Sequence, residues 1–315
     1  MVKIKTAIPF LLKCLLLART SSEAINPNAN AMIIKINIPT KVTIFEVLTN
    51  ITAMHHKKLA LVTGATGAIG RSVARLILTT GKYRVIMIAR NEEKAVKTRE
   101  DIVRLTGLQD ISYEIADLSV KKQIYDLAVK LKEPVHVLVN NAAYTPKRRM
   151  ETHAGIEMQF AANVLGYFWM IDAFSGHLKS GAPSRVVNVA SYWAGGLDFS
   201  DLEFKYRTYD NDTAYRQSKQ ANRMLTVAFA ERLAPFHITV NSCHPGDVNS
   251  VLSNSMGFGG HETPDQGAAT PVWLATSADV EGVTGKYFEH RKEMRCEFGR
   301  DVEKVERLFN VCSGY

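Results

Sequence analysis

In the stretch AYRQSKQAN, Tyr215 and Lys219 stand four residues apart, the spacing that puts two side chains on one face of a helix. A phenol near its ordinary pKa of about 10 is a poor base at neutral pH. An ammonium beside it favours the phenolate, so the pair suits proton exchange with an alcohol or carbonyl oxygen. The same spacing also falls on ordinary helix surfaces, and its weight depends on its company. Ser191 closes the apolar run SRVVNVAS. Open α/β sheets bind ligands at the carboxyl ends of their strands, where this hydroxyl can hold a substrate oxygen. Asn163 lies in the apolar stretch MQFAANVLGYF. It either satisfies nearby backbone as a buried amide or holds a water that links the lysine to solvent.

A second constellation lies upstream, in LVTGATGAIG from Leu61 to Gly70. A strand, a glycine turn and a helix start bring free backbone N–H groups and the positive helix end to one point, which suits a pyrophosphate. Gly64 permits the turn, and Gly70 lets the helix sit close to the sheet. The next strand ends in Arg90, followed by Asn91, where an acidic residue would accept ribose hydroxyls in an NAD site. A guanidinium there either meets a 2′-phosphate, which predicts NADP(H) in preference to NAD(H), or is a solvated surface arginine. Asp117 is placed either to meet an adenine edge or to cap the helix after it. NNAA, from Asn140 to Ala143, supplies the small residues that close cofactor approach requires.

These residues need a scaffold, and the chain from Leu59 onward spells one. Short Val/Ile/Leu runs (LALVTG, YRVIMIAR, ISYEIADLS, VHVLVNNAA, SRVVNVAS, HITVNSCHPG) alternate with helical stretches such as Gly70–Gly81. Near-continuous apolar strands separated by helices predict an α/β, doubly wound, mostly parallel sheet covered on both faces. Thr263 and Pro264 predict a helix start in a lid-like segment over Gly246–Thr276. Met256, Phe258 and Trp193 are candidates for an apolar pocket or for plain packing, and His244 reads as structural.

Composition narrows the classes. The net charge is +8; residues 1–53 carry six Lys/Arg against two Glu, and the other +4 is spread over a chain of mixed signs. No basic run is interleaved with aromatics, and no nucleic-acid partner is expected. The four cysteines show no metal-ligand spacing or disulfide pattern, and no metal is expected. Residues 1–53 differ in texture from the rest. Their apolar run Ala7–Ala18, broken by Lys13, is too short for a membrane span. They read as a leader, either a targeting segment or an over-extended start with translation beginning at Met54. The first reading implies an organellar or secretory route, the second a cytoplasmic protein, and 54–315 forms the single domain.

Taken together, Thr63 to Gly70, Asn140 to Ala143, Asn163 to Gly166, Ser191, Tyr215 to Lys219, and Pro245–Gly246 resemble the short-chain dehydrogenase/reductase family in its compact form. The fourth-strand motif and the limited length after Met54 set the chain apart from the longer epimerase-like branch. Ala68 stands where the compact branch usually has glycine. The likeness covers about Lys58 to Phe288 and implies a single-domain Rossmann fold with an Asn163–Ser191–Tyr215–Lys219 tetrad. By that likeness Tyr215 is the acid/base, and Lys219 also holds the nicotinamide ribose. It implies a cofactor contacted by Thr63, Gly64, Thr66, Gly67, Ala68, Ile69 and Gly70. Arg90, Asn91, Asp117, Leu118, Asn141 and Ala142 continue that surface, and Pro245, Gly246, Val248 and Ser250 complete it.

The insert between Ser191 and Tyr215, with the phrases SKQANRML and CHPGDV, resembles the retinol dehydrogenase group. That likeness implies a hydrophobic small-molecule substrate such as a retinoid, sterol or lipid aldehyde, without naming one. It carries over no firm membrane anchor, and by analogy the protein forms a homodimer or homotetramer. A cofactor-sensing binding protein on the same fold is the competing reading. It would be expected to lose Tyr215 or Lys219, and this chain keeps both.

Overall fold

The computed structural model describes residues 57–315, so the leader expected at 1–53 lies outside the described residues. Strand β1 (Lys58–Thr63) leads through the glycine turn into α1 (Ala68–Thr79). Next come β2 (Tyr83–Ala89), α2 (Glu92–Thr106), β3 (Ile111–Ile115), α3 (Lys121–Lys130) and β4 (Val137–Asn140). A π-helical turn (Phe160–Leu165) runs directly into α4 (Gly166–Ala173), followed by α5 (Ser175–Ser180) and β5 (Ser184–Val189). The remainder is α6 (Asn211–Leu233), β6 (Ile238–Cys243), α7 (Val251–Ser255), α8 (Pro264–Thr276), β7 (Tyr287–Glu289), β8 (Lys292–Met294) and α9 (Val302–Ser313).

The strands form one sheet in the order β3-β2-β1-β4-β5-β6-β7-β8. All neighbours are parallel except the final β7–β8 hairpin. Successive side chains of a strand point to opposite faces, and β1 shows the consequence. Leu59 and Leu61 join an apolar core with α4, α6 and α9, while Ala60 and Val62 join another with α1 and α8. Both faces being covered explains why these strands are apolar throughout. On the first face Phe168, Phe229 and Phe309 pack with ring centroids 5.1–5.2 Å apart and lock α4, α6 and α9 together.

The strand order reverses between β1 and β4, opening the crevice at the carboxyl edge where a doubly wound fold binds its ligand. The single-domain Rossmann architecture is therefore as expected, with shifts at the element ends. The first helix starts at Ala68 rather than Gly70, because Gly67 already serves as its N-cap. β3, β4 and β5 stop at Ile115, Asn140 and Val189. This leaves Asp117, Asn141 and Ser191 on loops just past the sheet, where side chains can face a ligand. Thr263 does cap α8, in a capping box with Gln266 and with Pro264 in the first turn.

Candidate active site

Asp210 starts α6 by accepting a hydrogen bond from the Thr213 N–H at 2.8 Å. The helix then carries Tyr215 and Lys219 on its buried face beside the end of β5. Lys219 Nζ donates to the Val189 carbonyl at 2.9 Å and lies 5.6 Å from the Tyr215 ring centroid. The Tyr167 hydroxyl donates to the same carbonyl at 3.2 Å, so one strand-end oxygen fixes both groups. Burial pushes the Tyr215 phenol up to about 12, and the Ser191 hydroxyl pulls it partly back. Burial also brings Lys219 down to about 7.

This corrects the electrostatics expected from the sequence. Desolvation of the phenolate dominates here, and the phenol is held protonated at neutral pH. Ser191 Oγ accepts from the Trp193 N–H at 3.1 Å, which points the hydroxyl back into the site. Asn163 sits in the π-helical turn, and its Oδ1 accepts from the Tyr144 N–H at 2.8 Å. Its Nδ2 donates to the Tyr144 carbonyl at 3.0 Å and to Gln159 Oε1 at 3.2 Å. The amide thus clamps the chain beyond β4. Asn163 Oδ1 accepts only the one bond from the Tyr144 N–H and keeps a second acceptor position.

At the glycine loop, Gly64 has φ +63°, and a Cβ there would come within 2.6 Å of Ala142 Cα. Thr63 Oγ1 accepts from the Asn141 and Ala142 N–H groups, and Asn141 Nδ2 donates to the Thr63 carbonyl, tying β4 to the loop. The N-cap of α1, Gly67, offers no side-chain cap, and the first turn holds no acid. The N–H groups of Ala68, Ile69 and Gly70 therefore keep the free donors that a phosphate needs, with Thr66 beside them. A Cβ on Gly70 would overlap the Gly64 carbonyl oxygen and press on Asn141 Nδ2. Gly70→Ala is expected to lower stability by roughly 1–3 kcal/mol, as overpacking does, and to weaken cofactor binding further. Thermal melts with and without cofactor check this, and a variant that melts and binds like the wild type contradicts it.

Arg90 is exposed at the end of β2, with Cζ 4.8 Å from the Tyr144 ring centroid. Its guanidinium is thereby placed at the rim of the crevice with its donors free. Asn91 caps α2, accepting from the Lys94 N–H at 2.8 Å. Asp117 is not a helix cap: its carboxylate accepts from the N–H and Oγ of Ser119, while Val120 is the N-cap of α3. Leu118 is buried, and its carbonyl packs against Gly166. Ser250 Oγ accepts from the Ser253 N–H at 3.1 Å in a capping box that starts α7, so its hydroxyl serves that helix. Pro245 precedes Gly246, whose φ of +115° suits glycine. Val248 bridges to Glu262, whose Oε2 is buried without a partner against Gly246. Uncapped N–H groups, a crevice kept open by glycine and an unpartnered acceptor fit a dinucleotide.

On the substrate side, the Trp193 and Phe258 rings meet edge to face at 5.1 Å, and Tyr192 is half exposed. His244 is buried, and its ring packs on Tyr192 at 4.6 Å. Burial takes its pKa to about 3, so the ring is neutral at neutral pH. A groove of about 900 Å³ opens at the opposite, amino edge of the sheet. Lys58, His136, Arg185 and His237 line it, with none of the site residues. No described helix is long and apolar enough to cross a membrane.

Residues 58–257 match the family model described as short chain dehydrogenase. The chain belongs to the short-chain dehydrogenase family. It is 35% identical over 269 residues to human retinol dehydrogenase 14, covering 76% of this chain and 80% of the relative. Mouse retinol dehydrogenase 13 is 34% identical over 270 residues, covering 79% and 80%. Within the family this short-chain dehydrogenase falls in the retinol dehydrogenase-like group, and it is a carbonyl/alcohol oxidoreductase that uses a nicotinamide cofactor. Among solved structures, an uncharacterised protein from Mycobacterium paratuberculosis superposes with a TM-score of 0.67 at 23% identity, covering 83% of this chain and 97% of that one. The Pseudomonas aeruginosa RhlG/NADP active-site complex gives 0.59 at 26% identity, covering 73% and 93%.

Two parts of this dehydrogenase escaped the sequence reading. Glu203, in the insert, accepts from the Glu157 N–H, Lys205 Nζ and the Tyr315 hydroxyl, joining the insert to the segment just before the π-helical turn and to Tyr315. Arg223 is buried and donates to the Ser191 carbonyl at 2.7 Å. Its signal was available, since Tyr215, Lys219 and Arg223 repeat at four-residue spacing.

Proposed function

We propose that the protein is an NADP(H)-dependent oxidoreductase that interconverts a carbonyl and an alcohol on a hydrophobic small molecule, a retinoid, sterol or lipid aldehyde, with Tyr215 as acid/base. The observation that carries this reading is the buried Tyr215 phenol beside the Ser191 hydroxyl and Lys219, at the same sheet edge as the uncapped start of α1. When bound, the cofactor supplies or accepts the hydride at the substrate carbon.

In reduction the Ser191 hydroxyl holds the carbonyl oxygen, and the Tyr215 hydroxyl gives that oxygen its proton. Burial keeps the phenol protonated, so the free protein is poised as a proton donor. In oxidation the phenolate must form first, and a charged Lys219 then favours it. Lys219 is held by the Val189 carbonyl, and it would also bind the nicotinamide ribose. The rings of Trp193 and Phe258 favour an apolar substrate, and the relatives named retinol dehydrogenases support that class. The test is oxidation of NADPH and of NADH by the full chain with retinal, sterol ketones and aliphatic aldehydes. Turnover with NADPH on one class is the expected result, and no turnover with any of them would count against the reading.

The cofactor preference rests on Arg90. A charge-assisted hydrogen bond to a 2′-phosphate contributes roughly 1.5–3 kcal/mol. Arg90→Ala is therefore expected to lower the ratio of kcat/KM for NADPH over NADH by about tenfold to a hundredfold. An unchanged ratio would remove Arg90 from cofactor choice.

A further inference from the structure

We propose that Arg223 is a positioning residue for the reaction, one that fixes the Ser191 peptide so that the Ser191 hydroxyl faces the Tyr215 phenol. The proposal rests on the oxidoreductase reading above. β5 ends at Val189, and past that point the sheet holds only the Ala190 N–H, through the Cys243 carbonyl. Ser191 itself lies beyond the ladder. α6 replaces the missing strand with two pegs from one face. Lys219 Nζ donates to the Val189 carbonyl at 2.9 Å, and one turn later Arg223 Nη2 donates to the Ser191 carbonyl at 2.7 Å. The backbone adds only the weaker Ala194 N–H, at 3.3 Å, as a donor to that oxygen.

The setting of the guanidinium argues for this directed role. Arg223 is 7% exposed, and its Cζ lies 3.4 Å from the Tyr287 ring centroid and 5.5 Å from that of Phe298. Its counter-charge, Glu289 Oε1, stands 3.9 Å from Nη2 and is fixed by the Tyr287 hydroxyl at 2.6 Å. Nε is buried with no partner. A half-compensated buried charge contributes little to stability, and an aliphatic side chain would fill the same space at lower desolvation cost. What an aliphatic residue cannot supply is a rigid, always protonated donor aimed at one carbonyl. The seat for that donor is built by β7, so the far edge of the sheet reaches the reacting groups through Arg223.

The test compares Arg223→Met, Ser191→Ala and the double variant in the full chain. Two readouts are used: steady-state kinetics, and titration of the Tyr215 phenol followed with 13C-labelled tyrosine. Tyr192 and Lys219 also face that phenol and stay unchanged throughout. R223M is expected to lower kcat roughly tenfold to a hundredfold, the value of a charged hydrogen bond, with cofactor Kd within about twofold. Its phenol should titrate higher, as in S191A, and adding S191A to R223M should shift it little further. Added ethylguanidinium should restore part of kcat in Arg223→Ala. A change in melting temperature alone, with kcat and phenol titration as in the wild type, overturns the proposal, as does full additivity of the two substitutions. If R223M fails to fold, Arg223→Lys keeps the charge and one donor, and it should fall between wild type and S191A on both readouts; wild-type values in R223K overturn the proposal. A wild-type protein without turnover would refute the oxidoreductase reading, while the phenol titration would still decide the role of Arg223.

Discussion

Tyr215→Phe is expected to reduce turnover by about 10²- to 10⁴-fold, the range over which a positioned acid or base acts, and to leave cofactor affinity within about twofold. The hydroxyl is the only group removed. The ring stays in its buried seat on α6, and neither the glycine loop nor Arg90 is touched. Thermal stability should stay the same or rise slightly, because a buried hydroxyl is replaced by hydrogen. Steady-state kinetics and cofactor titration of the same preparation check both halves. A variant that turns over normally would sink the acid/base assignment. One that loses both turnover and cofactor binding would show that the phenol supports the site structurally.

Lys219→Met is the second large effect, and it has a signature in stability as well as in rate. In the folded chain Lys219 titrates near 7, well below the ordinary lysine value of 10.5. Between those values the unfolded chain binds a proton that the folded chain does not, so wild-type stability rises with pH from 7 upward. The rise ends near pH 10, where tyrosine in the unfolded chain begins to ionise while Tyr215 holds its proton to about 12. The slope in this window is at most about 1.4 kcal/mol per pH unit. K219M lacks the group and should lose that slope, with higher stability than the wild type at pH 7. Turnover should fall at least about tenfold and cofactor affinity should weaken, which separates this variant from Tyr215→Phe. Urea unfolding at several pH values checks the slope. A K219M curve parallel to the wild type would place the titration elsewhere.

Most of the sheet is legible in the sequence because strand alternation and the glycine turn are local signals. Leu59 to Thr63 reads as a buried strand, and it is one. Strand ends are less legible, because a ladder stops where its neighbour does: Asn140 and Val189 close their strands for reasons set by pairing with Asn188 and Cys243. The C-terminal hairpin and α9 carry no strong punctuation and went unread. In the site, Tyr215 and Lys219 were legible from spacing, but their protonation was not. Desolvation depends on what packs around a group, so the sequence suggests a lowered phenol where the fold raises it. Asn163 shows the same limit, since its partner Tyr144 is close only after folding. In the sequence Arg223 is one more polar residue on a long helix, and only the fold brings β7 and Ser191 around it.

The most direct test of the account is isotopic. The full chain is incubated with NADPH deuterated at the transferable C4 position and with retinal or an aliphatic aldehyde, and the alcohol product is examined by mass spectrometry. One deuterium on the former carbonyl carbon, absent when Tyr215→Phe is used, is the predicted result. Cofactor binding with no deuterium transferred to any carbonyl in the panel would contradict it and leave a protein that binds the dinucleotide without using its hydride.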